Sequence, residues 1–158
     1  MSNMQFRPFA PDDFEQLYAI EEACFAPPLR FDRRYMRSLV RRKTAAVWIA
    51  EEDGRMAGFA IVEWNRGRQG LQAYIQTLEV APGARGQGAG RELLARCVHS
   101  ARGAGSVVVW LHVAESNGGA IRLYQRHGFL VVGRLEDYYP AGGPALVMAL
   151  ELAPSTPE

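Results

Sequence analysis

A strand that breaks at Pro82-Gly83 and re-enters as a helix through alternating glycines is the feature that most restricts this chain. The stretch reads Thr77-Leu78-Glu79-Val80-Ala81-Pro82-Gly83-Ala84-Arg85-Gly86-Gln87-Gly88-Ala89-Gly90-Arg91-Glu92-Leu93-Leu94. Beyond it, Leu93, Leu94, Cys97, Val98 and Ala101 recur at helical spacing, so the helix carries one apolar face. Glycines at 86, 88 and 90 let the backbone approach a ligand closely and turn its N–H groups toward one point. The helix N-terminus adds partial positive charge there, which makes the loop a candidate cradle for a phosphate or pyrophosphate. A Walker loop needs Gly-Lys-Ser/Thr where this chain has Gly90-Arg91-Glu92, and a dinucleotide fingerprint needs its third glycine where Arg91 stands. The spacing that remains is Arg-x-x-Gly-x-Gly, from Arg85, Gly88 and Gly90. Taken alone, it is a weak signal that also reads as a glycine-rich connection with no ligand.

At 158 residues the chain fits one domain with its own core, expected over 1–152, followed by a disordered tail, Ala153-Pro154-Ser155-Thr156-Pro157-Glu158. Net charge is +1, from 18 basic and 17 acidic residues, which gives no warrant for a nucleic-acid partner. No apolar run approaches the roughly 20 residues of a membrane span, and the N-terminus lacks a signal-peptide core. Cys24 and Cys97 both fall on apolar faces of predicted helices. Neither a disulfide framework nor a metal site is expected; buried thiols in a cytoplasmic protein are. Oligomeric state stays open between monomer and homodimer.

In chain order, Met4 to Phe9 predicts a first, edge strand, because Pro8 cannot donate to a ladder. Pro11-Asp12-Asp13 starts a helix with Asp12 or Asp13 as its cap, and Pro27-Pro28 stops it. Phe31-Asp32 opens a second helix with a stripe of Tyr35, Met36, Leu39 and Val40. Its other face carries Arg33, Arg34, Arg37, Arg41, Arg42 and Lys43, read as a solvated face or as a rim for an acidic peptide. Ala46–Ala50 and Met56–Trp64 are strands joined through Asp53-Gly54, a hairpin signal because both turn positions need positive φ. Leu71–Val80 leads into the glycine loop, and its helix ends near Gly103-Ala104-Gly105. Ser106–Val113 is a near-continuous apolar run that suits a strand buried on both faces. Ser116-Asn117 caps a short helix ended by His127-Gly128, with Gly118 and Gly119 giving either room for a ligand or a frayed first turn. Phe129–Glu136 and Ala145–Leu152 close the chain around the connection Asp137 to Pro144. The order β-α-α-β-β-β-α-β-α-β-β predicts a mixed sheet with helices on both faces.

The Arg85–Gly90 loop after Leu78-Glu79-Val80 resembles the acetyl-coenzyme A motif of the GNAT acetyltransferase superfamily. Glu115-Ser116-Asn117, Ala120, Leu123-Tyr124 and Gly128-Phe129 are similar to a second segment of that superfamily, at the usual distance after the loop. The resemblance runs from Met4 to Leu152 and implies a GNAT fold. That is a mixed α/β domain with a sheet of about six or seven strands, splayed between the fourth and fifth after Val80, and about four helices. Tyr138-Tyr139-Pro140 before the last strand, and the Cys24-Phe25 segment, resemble the RimI type, the ribosomal-protein alanine N-acetyltransferases. Two departures stand out. His112 occupies a place where that type usually has Glu, and Gly143-Pro144 replaces its usual acidic pair.

The resemblance implies acetyl-CoA as cosubstrate, no metal, and transfer of the acetyl group to an amine. Its pyrophosphate is expected on the N–H groups of Arg85, Gly86, Gln87, Gly88, Ala89 and Gly90. Its arm is expected along Leu78 and Val80, with contacts from Asn117. Tyr124 is the implied general acid, since a phenol of pKa about 10 can donate to a leaving thiolate; periodicity alone reads it as a core aromatic. The base is open. His112, with a reference pKa of about 6.5, is a base or a satisfied core histidine. Glu79 is a second candidate, or the solvent-facing member of an alternating strand. Tyr138 and Tyr139 are the implied acceptor contacts. An α-amine near 7.7–8.0 is neutral in about a tenth of molecules at pH 7, against far fewer for a lysine near 10.4, so a weak base suits an N-terminal acceptor. A small-molecule amine, a lysine, or a non-catalytic acyl-CoA sensor are the alternatives.

Overall fold

The computed structural model describes residues 3–140 and 142–152, and the expected tail at 153–158 lies outside them. Seven strands, β1 (Met4–Pro8), β2 (Ala45–Glu52), β3 (Arg55–Gly67), β4 (Gly70–Val80), β5 (Val108–Ala114), β6 (Leu130–Tyr139) and β7 (Gly143–Glu151), form one sheet. Its order is β1-β2-β3-β4-β5-β7-β6, so β1 is an edge strand, as Pro8 requires. The helices are α1 (Phe14–Cys24), α2 (Arg33–Val40), α3 (Ala89–Gly103) and α4 (Gly118–Arg126).

Apolar residues on both sheet faces give two cores. Leu17, Met36 and Leu39 of α1 and α2 pack with Ile49, Phe59 and Ile61. Leu93, Leu94, Cys97 and Ala101 of α3, with Tyr124 of α4, pack with Ala60, Val62, Ala73 and Ile75. The β2–β3 hairpin turns on Asp53 and Gly54 at φ 50° and 78°, as their sequence predicts. Asp32 caps α2 by accepting from Tyr35 N–H at 2.7 Å. Asp13 does not cap α1: its carboxylate accepts from Ala10 N–H at 2.7 Å and from the Arg7 guanidinium, after a 3-10 turn over Pro11–Asp13.

What positions the site is the parallel junction of β4 and β5. β4 and β5 pair only from Gln72↔Val108 to Tyr74↔Trp110. The sheet therefore splays within β4, not after Val80 as expected. The cause lies in the register of β3 on β4, which steps from Val62↔Ile75 to Ile61↔Thr77 and leaves Gln76 as a bulge. A bulge bends and twists its strand. β5 meanwhile stays paired with β7 from Val108↔Glu151 to Ala114↔Ala145. β5 is also not evenly buried: Val109, Leu111 and Val113 are buried, while Trp110 and His112 are half-buried, and His112 lines the gap. β6 is longer than predicted, so Tyr138 and Tyr139 are strand residues, with Tyr139 paired to Gly143.

Candidate active site at the strand splay

The diverging halves of β4 and β5 enclose a cavity of about 1050 Å³. Residues from both sheet faces line it: Phe25, Leu29 and Phe31 from the α1–α2 connection, and Asn117, Leu123 and Tyr124 around α4. The cavity thus passes through the sheet. The outer edge of β4 is held by β3 and that of β5 by β7, so the inner-edge N–H and C=O groups past Tyr74 and Trp110 face this space.

Past the Val80 end of β4 lies the glycine loop. Gly86 and Gly88 sit at φ 82° and 83°, with Gly88 as the N-cap of α3. An added Cβ at either would meet nothing within 4 Å, so it is the left-handed backbone that demands glycine there. The N–H groups of Arg85 through Gly90 have no acceptor among the described residues. Arg85 turns its guanidinium back on the chain, donating from Nε to Val80 O at 3.1 Å and lying 3.7 Å from Cys24 Sγ. What the loop offers an anion is its backbone and the α3 N-terminus, a set that fits a pyrophosphate. Arg85 to Gly90 and Val80 do not line the cavity, whereas Leu78 does. Asn117 caps α4, its Oδ1 accepting from Ala120 N–H at 3.2 Å, which leaves its amide nitrogen to donate at the cavity wall.

Tyr124 lines the cavity from α4 with 7% of its surface exposed. Burial first, and the neighbouring Cys97 thiol, push its hydroxyl up to about 12, so it holds its proton. His112 lines the same cavity from β5, stacked on Tyr138 at 4.6 Å between ring centroids. Its Nδ1 lies 2.8 Å from the Tyr74 hydroxyl. Burial lowers His112, which favours a neutral imidazole. Burial and then Tyr138 raise Tyr74, which keeps it a phenol; with His112 in its Nδ1–H tautomer, that phenol accepts from Nδ1 and Nε2 is left free. Sequence reading missed Tyr74. Its only signal was a tyrosine on the strand next to the one carrying His112, and nothing short of the parallel register brings the two together.

Glu79 is not solvent-facing: only 4% of it is exposed. Its Oε2 accepts from the Thr77 hydroxyl at 2.5 Å and its carboxyl meets that of Glu21, at the end of α1. Burial, followed by the Glu21 contact, pushes Glu79 up to about 9. Glu79 does not line the cavity; Glu21, absent from the sequence reading, does. Cys97 is buried as expected, but Cys24 only half so. The α2 arginines are largely engaged: Arg37 covers the Phe14 ring at 4.1 Å, and Arg33 covers Tyr18 at 4.8 Å and pairs with Glu15. Arg42 pairs with buried Glu63 at 2.9 Å, which also accepts from Gln76 at the bulge. Arg33, Arg37 and Arg42 are thus held by contacts within the chain, neither purely solvated nor free to form a peptide rim.

The family model for the acetyltransferase (GNAT) family matches residues 14–129. The chain is 43% identical over 81 residues to streptothricin acetyltransferase of Streptomyces lavendulae, covering 51% of this chain and 42% of that protein. It is 32% identical over 105 residues to the [ribosomal protein bS18]-alanine N-acetyltransferase of Escherichia coli K12, covering 65% of this chain and 68% of that one. The match thus spans less than half of the streptothricin enzyme. The crystal structure of Arabidopsis thaliana NAA60 in complex with acetyl-CoA superimposes with a TM-score of 0.84 at 26% identity, covering 95% of this chain and 99% of that one.

Proposed function

The chain belongs to the acetyltransferase (GNAT) family, and from that premise we propose that it moves the acetyl group of acetyl-CoA to a primary amine, foremost the α-amine of a protein or peptide N-terminus. The observation that carries this reading is the convergence of Tyr124 and the Tyr74–His112 pair on one cavity that crosses the sheet. Acetyl-CoA supplies the thioester. The loop N–H groups would hold its pyrophosphate, and the free inner edge of β4 around Leu78 its arm. The amine must be neutral to attack. His112, with Nδ1–H donating to Tyr74, would take the ammonium proton at Nε2, directly or through water. As the C–N bond forms and the C–S bond breaks, Tyr124 would give its proton to the sulfur. Glu79 is poorly placed for that base role, since it stands behind the wall and holds a proton itself.

The acceptor side favours a peptide. Phe25, Leu29 and Phe31 line the same cavity as Tyr138 and Tyr139, and where the RimI type has its acidic pair the uncharged Gly143 and Pro144 line it. The likeness to the bS18-alanine enzyme agrees with this reading. A small-molecule amine is the second reading, favoured by the 43% identity to the streptothricin enzyme. An acetylation screen over N-terminal peptides, lysine peptides, polyamines and streptothricin separates them. Calorimetry that finds no acetyl-CoA binding at millimolar ligand would refute both. Binding with no turnover of any amine would instead identify an acyl-CoA sensor.

A further inference from the structure

Two carboxylic side chains are buried together where nothing neutralises them. Glu21 is 1% exposed and Glu79 is 4% exposed, and the Oε1 atom of each is buried with no partner among the described residues. Their Oε2 atoms are engaged: Glu21 accepts from Phe31 N–H at 3.0 Å and Glu79 from the Thr77 hydroxyl at 2.5 Å. Two orphan oxygens on touching carboxyls cannot both be carboxylate, because burying like charges side by side is prohibitive. One proton between them satisfies both at once, as an O–H of Glu79 donating to Glu21. Phe31 N–H, Glu21, Glu79 and Thr77 then form one unbroken chain from the end of the α1–α2 connection to β4.

That connection carries Phe25, Leu29 and Phe31, the apolar side of the cavity. We propose that Glu21 and Glu79 share one proton and so fasten the acceptor wall to β4, making them positioning residues whose proton holds acceptor affinity. The wall's role in acceptor binding rests on the acetyltransferase reading; the shared proton does not. The other ionisable groups facing the pair are the Cys24 thiol on α1 and, behind it, the Arg85 guanidinium. Neither supplies a hydrogen bond to the two orphan oxygens.

The test compares the wild type with Glu79→Gln, whose amide donates to Glu21 without titrating, and with Glu79→Leu, which cannot donate. Infrared difference spectra of the wild type should contain the C=O band of a neutral buried carboxyl at pH 7, lost on alkaline titration and missing from Glu79→Gln. Acceptor KM should stay within about twofold of wild type in Glu79→Gln and rise about tenfold in Glu79→Leu, as when only a tenth of molecules keep the wall in place. The KM for acetyl-CoA should not move. A wild type with no neutral-carboxyl band at pH 7 overturns the shared proton. A Glu79→Gln acceptor KM as high as that of Glu79→Leu overturns its positioning role. The spectra need no acceptor, so they decide the proton even if the acetyltransferase reading fails or Glu79→Leu does not fold.

Discussion

His112 and Tyr124 divide the proton work because their surroundings push them in useful directions. Burial lowers His112, so it is deprotonated through the neutral range and ready to accept. Removing it as His112→Ala should lower kcat/KM by about 10²–10⁴-fold while acetyl-CoA affinity, measured by calorimetry, stays unchanged. The acidic limb of the wild-type profile should fall below the ordinary 6.5 of histidine, since the rate drops only once the lowered group gains its proton. Full activity in His112→Gln would refute the assignment. Tyr124, held near 12, predicts no alkaline loss from that group up to about pH 10. Tyr124→Phe should lower kcat by about 10²–10⁴-fold, read against an unchanged acetyl-CoA affinity. The Tyr74–His112 partnership was not legible in the chain. The sequence contains His112 and Tyr124 as isolated residues, and Tyr74 becomes a neighbour of His112 only through the register Tyr74↔Trp110.

The elements were more legible than the faces they present. A proline break, a glycine run and a helical stripe specify β4, its loop and α3 locally, and Gly88 at the α3 N-cap takes a left-handed φ of 83° that glycine adopts without strain. Gly88→Ala should therefore raise the acetyl-CoA Kd by about fivefold or more, since an Ala at positive φ costs about 1 kcal/mol or more. Gly83→Ala, which meets nothing within 4 Å and has no positive φ, should leave that Kd unchanged. Calorimetry on the two variants checks both. What could not be read was the bulge. Strict alternation puts Ala73, Ile75, Thr77 and Glu79 on one face of β4. The extra residue at Gln76 instead sends Leu78 and Val80 to the α3 side with Ala73 and Ile75, and turns Thr77 and Glu79 toward α1. That inversion buries Glu79 against Glu21, and a period-two reading has no means of anticipating it.

At the scale of the whole molecule, the price of that inversion should be visible as a slope of stability against pH. Glu79 rises from an ordinary 4.5 to about 9 on folding, so between those values the folded state binds a proton that the unfolded state lacks. Stability contributed in this way is complete below pH 4.5 and is lost as pH climbs toward 9. His112 and His127 act in the opposite sense, because burial lowers both, but only below their ordinary 6.5. Asp13, lowered chiefly by its Arg7 hydrogen bond, is stabilising above its ordinary 3.8 and loses that contribution only in acid. The window from pH 6.5 to 8 is therefore governed by Glu79 alone among these groups, because the Cys24 and Cys97 thiols, raised by burial from an ordinary 9.0, add a slope of the same sign only above it. Melting temperature should fall steadily across it, and each kcal/mol of linkage corresponds to about 2–4 °C at this chain length. Glu79→Gln cannot titrate, so its melting temperature should be nearly level over the same range. Calorimetric scans of both proteins at half-unit steps of pH measure the difference, and parallel slopes would place the titrating group elsewhere.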